Sequence, residues 1–153
     1  MEFEKILNQR NLSNPFARYL GIRVVELSAG HSRVEMKTDY NSLNPFGSVH
    51  GGLMFTCADI AAGSAVASTG RIGCTVSSSI NYLKPGVDTS MIIAEGNIIK
   101  YGKTLQVCRV EVHDQDGTLL CEATFTYMTL SEAALNHAAA VAKAHEELEK
   151  VVS

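Results

Sequence analysis

The sequence predicts an α+β domain in which a curved antiparallel β-sheet wraps round one long buried helix. Residues 51–68 are Ala-rich, helix-like and apolar nearly all round, a pattern typical of a helix enclosed within a protein rather than lying on its surface. Four strand-like segments follow this helix and two precede it, and their short connections favour antiparallel pairing. A sheet curved round the helix buries the apolar side of both.

Each element has its own signal in the chain. Residues 3–10 suggest a short amphipathic helix, and Asn14-Pro15 predicts the start of a second short helix that ends at Gly21. Ser131-Glu132 begins a C-terminal helix running to about Val151, which either packs on the sheet or extends into solvent. A loop rich in Asn, Ser, Pro and Gly covers 39–48. The predicted strands are 22–27, 33–38, 74–83, 90–101, 104–113 and 118–129.

The last strand alternates most clearly. One face is predicted to carry Leu119, Cys121, Ala123, Phe125 and Tyr127, and the other Glu122, Thr124 and Thr126.

Length and composition narrow the classes of function. A chain of 153 residues is predicted to form a single domain, 1–153, with a substantial core. A net charge of −3 without a basic run argues against nucleic-acid or membrane-surface binding. The N-terminus lacks the apolar core of a signal peptide, and the apolar stretch 52–67 is too short to span a bilayer, so we expect a cytoplasmic protein. Cys57, Cys74, Cys108 and Cys121 are widely spaced, which predicts core thiols and no metal site.

Asp59 is the most informative residue. It is the only formally charged side chain from Tyr40 through Gly70, and it lies in the middle of the apolar helix. A carboxylate in such surroundings is costly unless other groups hold it. Burial also favours the protonated form of a carboxylate, which suits it to acid–base chemistry.

The start of the same helix predicts a second functional feature. Gly51 and Gly52 leave backbone N–H groups uncovered at the positive end of the helix dipole, which suits an anion or a developing oxyanion. His50 can position a carbonyl, orient Asn44 or hold water, and Asn44 can both donate and accept hydrogen bonds. His50 and Asp59 are nine positions apart, which on a helix is roughly 13 Å along the axis and on opposite sides. If both serve one site, a two-fold dimer must supply one residue from each chain.

These residues resemble a known family. The motif Asn44-Pro-x-Gly-x-Val-His50-Gly51-Gly52, with Asp59 downstream, is similar to that of hotdog-fold acyl-CoA thioesterases of the phenylacetyl-CoA (PaaI-like) type. The likeness extends to Asn-Pro-Phe-Ala-Arg-Tyr-Leu-Gly21, to residues 75–85, to Gly102-Lys103-Thr104 and to Asp116-Gly117.

The resemblance implies a role for each site residue. The Gly51 N–H polarises the thioester carbonyl, and Asp59 of the facing subunit acts as general base or nucleophile. Asn44 and His50 orient the thioester or the water, and Thr75, with Ser77 as the alternative, supports Asp59 or the water. Coenzyme A, which is part of the substrate, contacts Tyr82, Gly102, Lys103 and Thr104.

The resemblance also implies the reaction and the assembly. We expect hydrolysis of an acyl-CoA thioester without a cofactor or metal, and the candidate substrates include aryl-acyl-CoA. A homodimer with shared active sites is expected, and two such dimers are expected to pair into a homotetramer. The alternative function is a non-catalytic acyl-CoA binding or sensing module on the same scaffold. The absence of a Gly-x-Ser-x-Gly segment disfavours a serine hydrolase.

Overall fold

The computed structural model describes residues 2–152 and contains the predicted elements. The helices are α1 (Glu2–Ser13), α2 (Pro15–Leu20), α3 (Gly51–Ala67) and α4 (Glu132–Val152), with a 3-10 turn at Tyr40–Ser42. The strands are β1 (Arg23–Ser28), β2 (His31–Lys37), β3 (Gly73–Tyr82), β4 (Met91–Tyr101), β5 (Leu105–His113) and β6 (Leu119–Thr129).

The six strands form one antiparallel sheet in the order β1-β2-β4-β5-β6-β3, and α3 packs against it. The predicted α+β hotdog architecture is therefore confirmed. The chain does not pair β3 with β4, which follows it, but carries β3 to the far edge beside β6. β3 therefore has one free edge, and five consecutive residues from Thr75 to Ser79 are exposed.

α3 lies close to the sheet because small residues allow it. Gly96 on β4 is required there, since a Cβ at this position would lie 2.8 Å from the carbonyl oxygen of Ala61. Ser32 on β2 donates its hydroxyl to the same oxygen at 2.6 Å. The middle and end of α3, from Ile60 to Val66, are buried as the apolar sequence predicts.

The N-terminal helices begin and end where the sequence indicates, except that α1 is longer than predicted. The Asn14 side chain accepts a hydrogen bond from the Ala17 N–H, Pro15 occupies the first turn, and Gly21 ends α2 with a φ of 72°. α1 packs mainly against β1, where the Asn11 side chain bonds the backbone of Val24 at both its N–H and its carbonyl.

The C-terminal helix α4 extends away from the sheet. Of the two arrangements that the sequence allowed, packing on the sheet and extending into solvent, the structure has the second. After Leu135 every described side chain of α4 is exposed. Within the described residues, no helix is both long enough and apolar enough to cross a membrane. Cytoplasmic localisation stays a prediction.

The cysteines are free thiols, and three of them belong to the core as predicted. Cys57, Cys108 and Cys121 are buried, while Cys74 on β3 is half-buried. Burial raises the pKa of both Cys57 and Cys108 to about 12 and that of Cys121 to about 11. These thiols therefore stay protonated and serve as small apolar fillers.

Candidate active site

The Asp59 carboxylate is held by two hydroxyl groups from neighbouring strands. Thr75 on β3 donates its Oγ1 hydrogen to Asp59 Oδ1 at 2.7 Å. The hydroxyl of Tyr127 on β6 lies 2.7 Å from the same oxygen and 2.7 Å from the Asp59 backbone carbonyl. Asp59 is half-buried, so the costly carboxylate expected from the sequence does have the partners that it requires.

The sequence left Thr75 and Ser77 as alternatives for the residue that supports Asp59, and the structure brings Thr75 to Asp59. β3 has an irregularity between Thr75 and Ser77 where it pairs with β6, so Val76 is an extra residue in this strand. Thr75 pairs with Tyr127 in the sheet, which explains why both hydroxyls reach one carboxylate oxygen.

Two further residues, Tyr127 and Arg10, lie near Asp59 in the interior of the protein. The sequence analysis did not assign either of them to the site. Tyr127 is only 4% exposed, and burial, followed by the negative charge of Asp59, raises the pKa of its phenol. The guanidinium of Arg10 comes from α1 and donates from Nε to Ser64 Oγ at 3.2 Å. Burial lowers the pKa of Arg10, while its electrostatic interactions with Tyr127 and Asp59 oppose this shift.

The start of α3 differs in one respect from the prediction. His50 is the N-cap residue, and its Nδ1 accepts a hydrogen bond from the Gly52 N–H at 2.9 Å. The prediction that both glycine N–H groups are uncovered is therefore wrong for Gly52. Among the described residues nothing accepts a hydrogen bond from the Gly51 N–H, so this donor remains available at the helix terminus.

Asn44 holds the loop that leads into α3. Its Nδ2 donates to Ser48 Oγ at 2.9 Å, and its Oδ1 accepts from the N–H groups of Phe46 and Ser48 at 2.9 and 3.2 Å. In the described part of the chain, no hydrogen bond joins Asn44 to His50, so the expectation that His50 orients Asn44 is not supported. The two residues act on the same segment independently.

Tyr82 at the end of β3 covers the start of α3. Its hydroxyl donates to the Gly51 carbonyl at 2.9 Å, and a Cβ added at Gly51 would lie 3.1 Å from its ring. A cavity of about 290 Å³ opens beside this contact. Its lining is both polar and apolar and comprises Asn44, Ser48, Val49, Gly51, Met54, Tyr82, Leu83, Lys84 and Pro85.

Gly102, Lys103 and Thr104 form the turn between β4 and β5, at the opposite end of the sheet from Tyr82. Arg71 donates to the carbonyls of Gly102 and Lys103, and its guanidinium lies 4.2 Å from the centre of the Tyr101 ring. A Cβ at Gly102 would clash with the Leu105 carbonyl oxygen, so this glycine is needed for the turn itself. One chain therefore does not bring the four predicted coenzyme A contacts together.

The predicted site residues fall into two groups within one chain. One group surrounds the start of α3 and includes Asn44, His50, Gly51 and Tyr82. The other joins Asp59 to Thr75 and lies toward the start of β3, near Gly102-Lys103-Thr104. Gly51 and Asp59 are separated by about 12 Å along the unbroken helix, and Tyr82 and Thr75 by about 20 Å along β3.

Known proteins are similar to this chain in sequence and in fold. Residues 46–121 match the family described as the Thioesterase superfamily. The chain is 30% identical over 99 residues to acyl-coenzyme A thioesterase PaaI of Escherichia coli, covering 65% of this chain and 71% of that protein. The solved structure of E. coli PaaI superposes with a TM-score of 0.80 at 23% identity, covering 84% of this chain and 94% of that one, which shows the fold.

A second solved structure is more similar in sequence. A hypothetical thioesterase from Streptococcus pneumoniae, solved with coenzyme A, has a TM-score of 0.68 and 36% identity, covering 72% of this chain and 89% of that one. The same protein has been solved with an aspartate, and separately a threonine, changed to alanine at positions 16 residues apart, which is also the separation of Asp59 and Thr75 here.

Proposed function

Because this chain belongs to the thioesterase superfamily, in its PaaI-like acyl-CoA branch, we propose that it hydrolyses an acyl-CoA to a free acid and coenzyme A at a site shared by two protomers. The family resemblance carried by the segment from Asn44 to Asp59 is confirmed. The chain is accordingly a thioester hydrolase. We propose in addition which of its residues perform the reaction. The observation that carries it is an Asp59 carboxylate held by Thr75 at an exposed sheet edge.

Shared sites follow from the free edge of β3. Its ten residues, Gly73–Tyr82, contain no charged side chain and no proline, although such residues normally protect an exposed edge from pairing. We propose that two copies of β3 pair antiparallel about a two-fold axis at Ser78, so that Ser78 lies opposite the partner's Ser78 and inner faces meet inner faces. This brings Tyr82 close to the partner's Thr75, and the two half-sites that lie apart in one chain then adjoin.

The half-sites complement each other in chemistry. The Gly51 N–H of one protomer stabilises the negative charge that develops on the thioester oxygen, and Asp59 of the other protomer supplies the base or nucleophile. Along the base route, Asp59 accepts a proton from water as the water oxygen attacks the carbonyl carbon. The carbon–sulfur bond then breaks, and the proton passes to the departing thiolate of coenzyme A.

His50 and Asn44 keep supporting roles in this proposal. Because His50 Nδ1 accepts from Gly52, the neutral ring carries its hydrogen on Nε2, which can donate to the thioester carbonyl or to water. Asn44 fixes the loop that forms one wall of the cavity beside Gly51. The apolar part of this wall, which includes Met54, suits an acyl group.

Coenzyme A would bind across the dimer rather than within one chain. Pairing through β3 brings Tyr82 of one protomer to the same end as the partner's Gly102, Lys103 and Thr104. Lys103 then offers a positive charge to a phosphate group of coenzyme A, with Arg71 beside it. Whether two such dimers combine into a tetramer stays a prediction.

The assay is release of free coenzyme A from a panel of short, long and aromatic acyl-CoA substrates. We expect turnover of at least one of them, loss of turnover in Asp59→Ala, and full activity in Asp116→Asn, which changes an exposed turn carboxylate. Binding of acyl-CoA without turnover by the unaltered protein would support the binding or sensing module instead. A single turnover in heavy-oxygen water probes the two roles of Asp59. A nucleophilic carboxylate forms an anhydride with the acyl group and acquires the label when water attacks the Asp59 carbon of that anhydride, whereas a general base never acquires it.

A further inference from the structure

The two oxygens of the Asp59 carboxylate have different surroundings. Oδ1 is within 2.7 Å of both the Thr75 and the Tyr127 hydroxyls. Among the described residues, no side chain or backbone group donates a hydrogen bond to Oδ2. The carboxylate is therefore fastened through one oxygen, and its other oxygen is free to meet a ligand.

Tyr127 and Arg10 meet over a single glycine of α3. A Cβ placed on Gly63 would lie 3.0 Å from the Tyr127 hydroxyl and 3.2 Å from Arg10 Nη2. Glycine at this position therefore leaves the space that both polar groups occupy. Arg10 is also tied to the next residue of the helix through its bond to Ser64, so α1 carries a positive charge to the middle of α3.

We propose that Tyr127 is a positioning residue that fastens Asp59 through Oδ1, that Arg10 supports this carboxylate with a positive charge carried in from α1, and that Oδ2 is left as the oxygen that acts on water or the thioester. The positioning rests on the contacts within this chain. The identity of Oδ2 as the reacting oxygen rests in addition on the proposed hydrolysis.

The groups that face Asp59 come from three elements of the fold. Arg10 approaches from α1, the Tyr127 phenol from β6 and the neutral Thr75 hydroxyl from β3. Because burial and the charge of Asp59 raise the pKa of Tyr127, the phenol stays protonated and donates to the carboxylate. A donor and a nearby cation both stabilise the ionised carboxylate, so removing either one should weaken its part in the chemical step.

The test compares Tyr127→Phe and Arg10→Gln with Arg10→Lys, which keeps the positive charge. Tyr40→Phe is the matched control, because it removes a phenol that is 87% exposed and outside the site. Gly63→Ala serves as an independent variant that keeps both groups but crowds them. The measurements are kcat and KM for each variant and the carbon-13 resonance of the Asp59 carboxyl, recorded by NMR at one fixed pH on protein with labelled aspartate, which needs no activity.

We expect the carboxyl resonance of Asp59 to shift in Tyr127→Phe and in Arg10→Gln, with kcat about tenfold lower and KM little changed. Arg10→Lys should recover most of the shift, Gly63→Ala should lower kcat, and Tyr40→Phe should match the unaltered protein. Should Tyr127→Phe fail to fold, Arg10→Gln and Gly63→Ala decide the question.

The inference is overturned if the Asp59 carboxyl resonance is unchanged in folded Tyr127→Phe and Arg10→Gln proteins. A shifted resonance combined with full activity in Asp59→Ala gives a different result. In that case the fastening of Asp59 stands, and the proposed hydrolytic role of this residue fails.

Discussion

The Gly51 N–H can be removed without removing a side chain, which makes it the sharpest test of the oxyanion site. Gly51 is the first residue of α3, where proline is well tolerated because its fixed φ is that of a helix. His50 before it has φ −62° and ψ 131°, the extended conformation that a following proline requires. Gly51→Pro therefore deletes one donor and leaves the helix backbone in place.

The matched control is Gly51→Ala. Both substitutions add a Cβ that lies 3.1 Å from the Tyr82 ring, so both need the same small shift of that side chain, but only alanine retains the N–H. Because no described residue accepts a hydrogen bond from this N–H, its loss should leave the stability of the fold nearly unchanged.

The expected effect is large and confined to the chemical step. Loss of one oxyanion donor lowers kcat by about 10²–10³, or about 2.7–4 kcal/mol of transition-state stabilisation. Coenzyme A release gives kcat for both variants, and thermal unfolding shows that they are folded. Equal activity of folded Gly51→Pro and Gly51→Ala would refute the oxyanion role.

Three further predictions concern the neighbouring elements. Thr75→Val should lower kcat by about 10- to 100-fold through loss of a hydrogen bond to the charged Asp59, whereas Thr75→Ser keeps that hydrogen bond. Equal kcat values for the two variants would show that this contact plays no part in the reaction. Ser78→Lys, on the inner face of the free β3 edge, should dissociate the dimer and abolish activity, whereas Ser79→Lys on the outer face should do neither. Sedimentation measures the dimer, and a Ser78→Lys protein that still associates would contradict pairing through β3. Gly96→Ala should lower the free energy of unfolding by about 1–3 kcal/mol, because the added Cβ meets the α3 backbone. Urea unfolding measures this change, and unchanged stability would contradict the close packing of β4 against α3.

The sequence predicted the fold well where one pattern dominates a segment. The apolar circumference of α3 and the alternation in β6 are properties of contiguous residues, and both elements lie within a residue or two of their predicted bounds. The buried face of β6, from Cys121 to Tyr127, is the predicted one. The motif from Asn44 to Asp59 was informative for the same reason, because its residues follow one another in the chain.

The parts of the site that the sequence did not predict depend on contacts between distant residues. Arg10 and Tyr127 are 117 positions apart and meet over Gly63 only because α1 and β6 both contact α3. The alternation in β6 did place Tyr127 on the inner face, but nothing in the sequence indicated which inward residue reaches Asp59. His50 as a helix cap was missed because its ring nitrogen replaces the usual Ser, Thr, Asp or Asn acceptor.

Subunit complementation tests the shared site most directly. Asp59→Ala leaves the helix start intact, and Gly51→Pro leaves Asp59 intact, so each homodimer lacks one component of both sites. After unfolding and refolding an equal mixture, about half of the dimers are mixed and each has one complete site, which predicts about one quarter of the unaltered activity. A mixture that forms mixed dimers yet stays as inactive as its two components would contradict a site built from two chains.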